Sequence, residues 1–180
     1  MSKDKSTLKL VEPHVDAETR VHDDHHLSVR LWLRMLSCTN RIENFVRQNL
    51  QANFDTTLPR FDLMAQLERA PQGLKMSELS QRMMVTGGNV TGITDQLAKE
   101  GLVIRDTDPA DRRSITVRLT PGGLTLVRRM AAAHEQWVAE LFDGLDLDDQ
   151  SQVYRKLGTL KAHLLNKLAP QPDTRSTPHD

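Results

Sequence analysis

Residues 108–120, DPADRRSITVRLT, constrain the fold more than any other stretch of this 180-residue chain. Ile115, Val117 and Leu119 alternate with Thr116, Arg118 and Thr120, the two-residue period of a strand with one buried face. Upstream, Leu102, Val103 and Ile104 form a short apolar run suited to a partner strand. The polar residues 106–114, with Pro109 among them, join the two. The pattern predicts a β-hairpin with a long loop. Arg112 and Arg113 stand at its tip, flanked by Asp108 and Asp111. Taken alone, such a loop reads as a solvated charged turn; what precedes it in the chain decides otherwise.

Two short helices are expected before the hairpin. Ser77 has the character of an N-cap with Glu78 in the first turn, and Leu79 and Met83 share a face. Residues 85–88, VTGG, make a sharp turn. Val90, Ile93 and Leu97 then point inward from a second helix that Gly101 stops. In a helix-turn-helix the first helix braces and the second reads the major groove. Here residues 77–84 would brace and residues 87–100 would read.

The outward positions of the reading helix are Gly88, Asn89, Thr91, Gly92, Asp95 and Gln96. Asn and Gln pair with adenine edges and Thr meets a thymine methyl. The free N–H groups of Gly87 and Gly88 at a helix start suit a phosphate. Behind such a unit the hairpin becomes a wing. Arg112 and Arg113 then suit a narrow minor groove, and Asp111 orients the neighbouring guanidinium.

Charge must be local for this to hold. Lys plus Arg and Asp plus Glu both number 24, so the chain is formally neutral, whereas a DNA binder ordinarily shows a basic excess. Arg105, Arg112, Arg113 and Arg118 follow the hairpin, Arg128 and Arg129 come after it, and Lys75, Arg82 and Lys99 flank the short helices. Acidic residues gather elsewhere, in residues 143–149 and at Asp23 and Asp24.

The rest of the chain reads as helix. Leu27, Leu31, Met35, Cys38, Ile42, Phe45 and Val46 mark one face of a long helix to about Asn53. Pro59 opens a second helix, with Thr57 as its cap, and Leu63, Met64 and Leu67 as its buried side. That helix stops at Ala70 and Pro71, and Gly73 makes the turn. After Thr120 and Pro121 a long helix runs to about Gly144, and a last one carries Val153, Leu157, Leu160, Leu164 and Leu168. The fold class is mainly α with a small β-hairpin wing, a winged helix-turn-helix between long terminal helices. The organisation predicted is a flexible arm over 1–25, a dimerisation helix over 26–57 and the DNA-binding domain over 58–122. C-terminal dimerisation helices over 123–169 and a disordered tail over 170–180 complete it. The terminal helices carry more apolar surface than one small core covers, which predicts a two-fold homodimer.

The quoted segments carry a family resemblance. DPADRRSITVRLTPGG resembles the wing signature of the MarR family of bacterial transcriptional regulators. That signature is D-x-R, an alternating strand, a Thr and a glycine turn. LSQRMMVTGGNVTGITDQLAKEGLVIR is similar to its helix-turn-helix and first wing strand. The match covers about residues 58–125. It implies a homodimer on a pseudo-palindromic operator in double-stranded DNA, with a small ligand relieving repression. It also implies that Arg113 is the minor-groove contact and Asp111 its neighbour in the wing motif. The start at Gly87, Gly88 and Asn89 departs from the charged or hydroxyl residues many members carry.

RLWLRMLSCTNRIENFV with TTLPRFDLMAQLERAP looks like the branch controlling aromatic-acid catabolism. The effector this implies is an aromatic carboxylate or its coenzyme A thioester. Arg30 and Arg34, four apart on one helix face, and Arg60 are the candidate cations; Trp32, Met35 and Phe61 are the candidate walls. The same arginines equally suit interface salt bridges.

The single cysteine, Cys38, excludes an intramolecular disulfide and is expected to be a buried structural residue. A redox-responsive regulator using it is the alternative. The run from His22 to His26, HDDHH, is expected to be a solvated arm and no metal site. No nucleophile signature or phosphate loop is present, so neither enzymatic activity nor a cofactor is expected. No apolar run spans a bilayer and the N-terminus has no apolar signal core, so the expected location is the cytoplasm. A winged-helix protein-interaction module without DNA binding is the other alternative.

Overall fold

Backbone amides and carbonyls at helix ends need partners, and their placement explains where each element of this chain stops. The computed structural model describes residues 27–83, 87–107 and 115–169. Among them the order is α1 (Leu27–Phe54), α2 (Leu58–Glu68), β1 (Leu74–Lys75), α3 (Met76–Met83), α4 (Gly87–Lys99), β2 (Val103–Thr107), β3 (Ile115–Leu119), α5 (Pro121–Leu141) and α6 (Leu147–Lys167). The chain divides into two compact units at Ala131 and Ala132, inside α5. The predicted arm, tail and HDDHH cluster lie outside the described residues, as do Val85 and Thr86 of the sharp turn.

The helix-turn-helix and the sheet share one core. Leu63, Met64 and Leu67 of α2, Leu79 of α3, Val90, Ile93 and Leu97 of α4, Val103 of β2 and Val117 of β3 are buried, joined by Val127 and Met130 of α5. Each contributes on the order of 1.5–3 kcal/mol by leaving water. The helical and two-residue periods read from the sequence are therefore those of the folded chain.

β3 lies at the centre of a three-stranded antiparallel sheet, between β1 and β2. It pairs Val117 with Leu74 of β1, and Leu119 to Ile115 with Val103 to Thr107 of β2. β1 is two residues long and has no period to betray it. β2 also runs further than its apolar residues suggest. Arg105, Asp106 and Thr107 stay in the ladder because their backbone pairs with β3 while their side chains remain outside the core.

α4 ends in a Schellman turn. Gly101 takes φ +70, Leu102 N–H donates to the Leu97 carbonyl at 2.9 Å, and Gly101 N–H to that of Ala98 at 3.0 Å. Thr120 then caps α5. Its hydroxyl accepts from Gly123 N–H at 3.0 Å and donates to the carbonyls of Gly101 at 2.8 Å and Leu102 at 3.2 Å. Gly122 and Gly123 lie in the first turn of α5, in the helix expected after Thr120 and Pro121. A Cβ on Gly123 would lie 2.0 Å from the Leu102 carbonyl oxygen, so this helix rests backbone to backbone on the α4–β2 turn.

The helix starts differ from expectation at two places. α3 begins at Met76, which puts Ser77 inside the first turn; Glu78 reaches back to accept from Lys75 N–H at 2.9 Å. Ser77 is therefore not the N-cap, because the backward glutamate bond puts the cap position at Lys75, two residues earlier. Thr57 does occupy the cap position of α2, but its side chain makes no cap hydrogen bond.

The outer faces of the terminal helices are apolar. α1 exposes Leu27, Val29, Leu31, Trp32 and Leu36, and buries only Val46 and Leu50. In α6 no residue is fully buried, and Leu147, Val153, Tyr154, Leu157, Leu164 and Leu165 are exposed. No helix among the described residues is long and apolar enough to cross a membrane.

The two neighbouring glycines of α5 make a contrast that tests this junction. Gly123→Ala is expected to destabilise the protein by about 3 kcal/mol or more, since backbone must move to admit the methyl. Gly122→Ala meets nothing nearer than the Thr120 hydroxyl at 3.7 Å and is expected to stabilise by about 0.5–1 kcal/mol. Guanidinium unfolding of both variants checks this; equal midpoints would show that the close approach does not exist.

Candidate nucleic-acid interface

The reading helix is built from two incompatible faces. Val90, Ile93 and Leu97 recur at three and four residues and bury one side of α4, with Thr94 beside them donating to the Val90 carbonyl at 2.7 Å. The opposite side bears Gly88, Asn89, Thr91, Gly92 and Gln96, all exposed. A Cβ on Gly88 or Gly92 would meet nothing within 4 Å. A mid-helix glycine costs about 1 kcal/mol against alanine, and no packing need in the fold offsets that at Gly92. Gly87 is the first residue of α4, so its N–H and that of Gly88 belong to the helix end.

Asp95 is the exception on this face. It is half-buried and forms an ion pair with Arg105 of β2. Arg118 of β3 is paired in turn with Asp106 of β2, Nε to Oδ2 at 2.6 Å. Both described arginines of the hairpin are thus neutralised by acids beside them. The local basic face inferred from Arg105 and Arg118 is therefore weaker than the sequence suggests, because acids distant in sequence lie within reach. Arg128 is likewise held by Glu68 at 3.2 Å. Exposed cations of the helix-turn-helix include Lys75 just before α3, Arg82 on α3 and Lys99 at the end of α4. Ser77 is exposed in the first turn of α3. The wing-tip candidates Asp111, Arg112 and Arg113 lie outside the described residues.

The candidate effector residues divide into separate places. Arg30 and Arg34 line one hollow of about 130 Å3 on α1 together with Leu27 and Leu31. The Nε of Arg30 is buried and has no hydrogen-bond partner among the described residues. Trp32 is exposed and not among the lining residues. Phe61 is buried with Leu63, Met64 and Leu67 of α2. Arg60 is ion-paired with Glu100 at the end of α4, a long-range partner no spacing rule could find. A larger hollow, about 530 Å3, lies between Phe142 and Leu157 in the second unit and includes none of these residues. Cys38 is exposed, against the expectation of a buried cysteine, because the face of α1 that carries it is uncovered in the single chain.

Known proteins with this arrangement agree. The model of the MarR family matches residues 56–115, from the end of α1 through the start of β3. The HTH-type transcriptional regulator YkoM of Bacillus subtilis is 32% identical over 127 residues, covering 68% of this chain and 80% of the relative. A MarR family transcriptional regulator from Silicibacter pomeroyi superposes with a TM-score of 0.67 at 31% identity, covering 79% of this chain and 99% of that one. Sco3205 of Streptomyces coelicolor, a MarR family regulator solved in complex with DNA, shares the fold with a TM-score of 0.70 at 23% identity. It covers 84% of this chain and 92% of its own. With a family model seated on the helix-turn-helix and two relatives above 30% identity matched over most of their length, this chain belongs to the MarR family of transcriptional regulators.

Proposed function

We infer that this protein is a homodimeric, DNA-binding repressor of an aromatic-compound catabolic operon, released from its operator by an aromatic acid or its coenzyme A thioester. The observation that carries the DNA reading is the outward face of α4. Its side chains are small or amide, it is free of tertiary packing at Gly88 and Gly92, and it follows a bracing helix and precedes a hairpin. DNA binding by Sco3205 supports it.

In this reading Asn89 and Gln96 pair with base edges and Thr91 contacts a thymine methyl. The amides of Gly87 and Gly88 hold a phosphate, with Ser77 beside them on the bracing helix. Gly88 and Gly92 bring the helix backbone close to the groove. Asp95 acts through Arg105, holding the root of the wing against the reading helix, and does not contact DNA itself. Arg112 and Arg113 enter the minor groove, with Asp111 orienting Arg113. The exposed apolar faces of α1 and of α6 pack on those of a second copy. Arg30 and Arg34, with an unfilled buried donor in an apolar hollow, receive the effector's carboxylate.

Fluorescence anisotropy on a duplex from the chain's own upstream region tests the DNA reading. Arg113→Ala is expected to weaken binding by about 1–3 kcal/mol, a loss of roughly 5- to 150-fold; unchanged affinity removes the wing from the mechanism. Gly92→Ala is expected to raise folding stability by about 1 kcal/mol while lowering affinity for the same duplex. A variant that gains stability and binds as before would mean α4 does not approach the groove at Gly92. For the effector, thermal melting with benzoate, 4-hydroxybenzoate, 4-coumarate and their coenzyme A thioesters is decisive. A ligand at a hundredfold excess over its Kd stabilises by about 2.7 kcal/mol, which raises Tm by roughly 5–10 °C. No shift from any of them would discard the aromatic branch.

A further inference from the structure

A hollow of about 500 Å3 opens between the last turns of α1 and the start of α2, and neither the core nor the reading of α4 uses it. Gln48, Gln51 and Ala52 line it from α1; Thr56, Thr57 and Leu58 line it from the other side. Thr56 is only 6% exposed, yet its hydroxyl has no hydrogen-bond partner among the described residues. A hydroxyl enclosed to that degree ordinarily finds one. Thr57 stands at the cap position of α2 and its side chain makes no cap bond, so that hydroxyl is free as well. The amides of Arg60 and Phe61 turn back to the Thr57 carbonyl at 3.1 Å each, and Pro59 has no N–H. The amides of Thr57 and Leu58 have no acceptor among the described residues. Two hydroxyls and two adjacent amides thus collect at the positive end of a helix, a donor set that suits an oxyanion. Two carboxylates stand near the hollow without lining it: Asp55 accepts from Gln51 Nε2 at 2.7 Å, and Glu43 holds Arg47 at 3.0 Å. Arg47 does line it, and its pair with Glu43 is half exposed, so its guanidinium keeps donors for a second acceptor.

We propose that this hollow is a second DNA anchor, which binds a backbone phosphate through the Thr56 and Thr57 hydroxyls and the Thr57 and Leu58 amides, with Arg47 and Gln48 at its rim. Its size favours a polymer backbone over a bare ion. A single phosphate fills a small part of it, whereas a phosphate with the sugars on either side also covers the apolar surface of Ala52 and Leu58. Its place in the fold agrees, because the first turn of α2 is tied to the far end of the reading helix by the Arg60–Glu100 pair. The 13 residues of α4 span about 20 Å, against a major groove about 12 Å wide. A duplex held at Gly87 and Gly88 can therefore present a second row of phosphates at that far end. Such a contact adds affinity and fixes register without reading sequence. This assignment rests on the reading of the chain as a binder of duplex DNA.

The test uses the full chain, the upstream duplex and a scrambled duplex of the same composition, by anisotropy at several salt concentrations. Thr57→Asp separates a phosphate contact from a structural role. Aspartate is a good cap and its charge suits a helix start, so Tm is expected to hold or rise. Its carboxylate takes the amides and repels the phosphate, so affinity for both duplexes is expected to fall by the same factor, about tenfold or more. The slope of log affinity against log salt should shrink by about 0.9, one phosphate contact. Thr57→Asn, an uncharged cap, is expected to stay within a few-fold of wild type. Thr56→Val is expected to weaken both duplexes about three- to tenfold. If Thr57→Asp melts no lower than wild type and binds both duplexes as before, the DNA reading stands and the anchor is wrong. Should Thr57→Asp melt lower, Thr56→Val decides: unchanged duplex affinity in it overturns the proposal. If inorganic phosphate binds wild type but not Thr57→Asp by calorimetry, while the two bind DNA equally, the occupant is a free anion and the anchor is again wrong. If wild type binds neither duplex, the DNA reading fails and takes this proposal with it.

Discussion

The carbonyl of Leu102 holds the DNA-binding unit together. It accepts the Thr120 N–H at 3.0 Å and shares the Thr120 hydroxyl, while Gly123 presses against it with no side chain between. Three elements meet there: the exit of α4, the end of β3 and the start of α5. The requirement runs in one direction. The Schellman turn at Gly101 must present that carbonyl, Thr120 must be short enough to cap and donate at once, and residue 123 must lack a Cβ. A carbonyl has two lone pairs and a buried one needs partners, so the junction is fixed by stoichiometry as much as by shape.

Around this junction the ion pairs do a different job. Arg105 with Asp95, Arg118 with Asp106 and Arg128 with Glu68 are all partly exposed. Such pairs contribute about 0–1 kcal/mol each, far less than the buried core. Their effect is orientation: the first ties α4 to β2, the second β3 to β2, and the third α5 to α2. They also remove charge from the wing root, which leaves the positive potential to exposed residues such as Lys75, Arg82 and Lys99. Formal neutrality of the whole chain and a cationic contact surface are therefore compatible, but through fewer residues than a count of arginines suggests.

What the sequence revealed follows the range of each interaction. Val90, Ile93 and Leu97 on α4 and the alternation of β3 are local periodicities, and burial follows them. The Gly101 stop and the Gly73 turn are local backbone chemistry and were equally legible. Partners distant in sequence were not. Glu100 for Arg60 and Glu68 for Arg128 have no spacing rule, and β1 is too short to show a period. Periodicity on α1 correctly marks an apolar face, but it cannot say which chain covers that face. The same limit misplaced Cys38. At the candidate site the face of α4 that the sequence named is exposed, but no spacing rule showed that Asp95 pairs with Arg105.

The outward face of α4 has a consequence for how such a protein changes over generations. At Gly88 and Gly92 nothing in the fold touches the surface, and Asn89 and Gln96 project from it without entering the core. The residues that would choose a DNA sequence are thus separate from those that keep the chain folded. The two sets interleave along a single helix of 13 residues, and yet they occupy opposite faces of it. Such a layout lets specificity drift rapidly on an inherited frame, and it gives an engineer four adjacent positions at which to retarget the protein without rebuilding it.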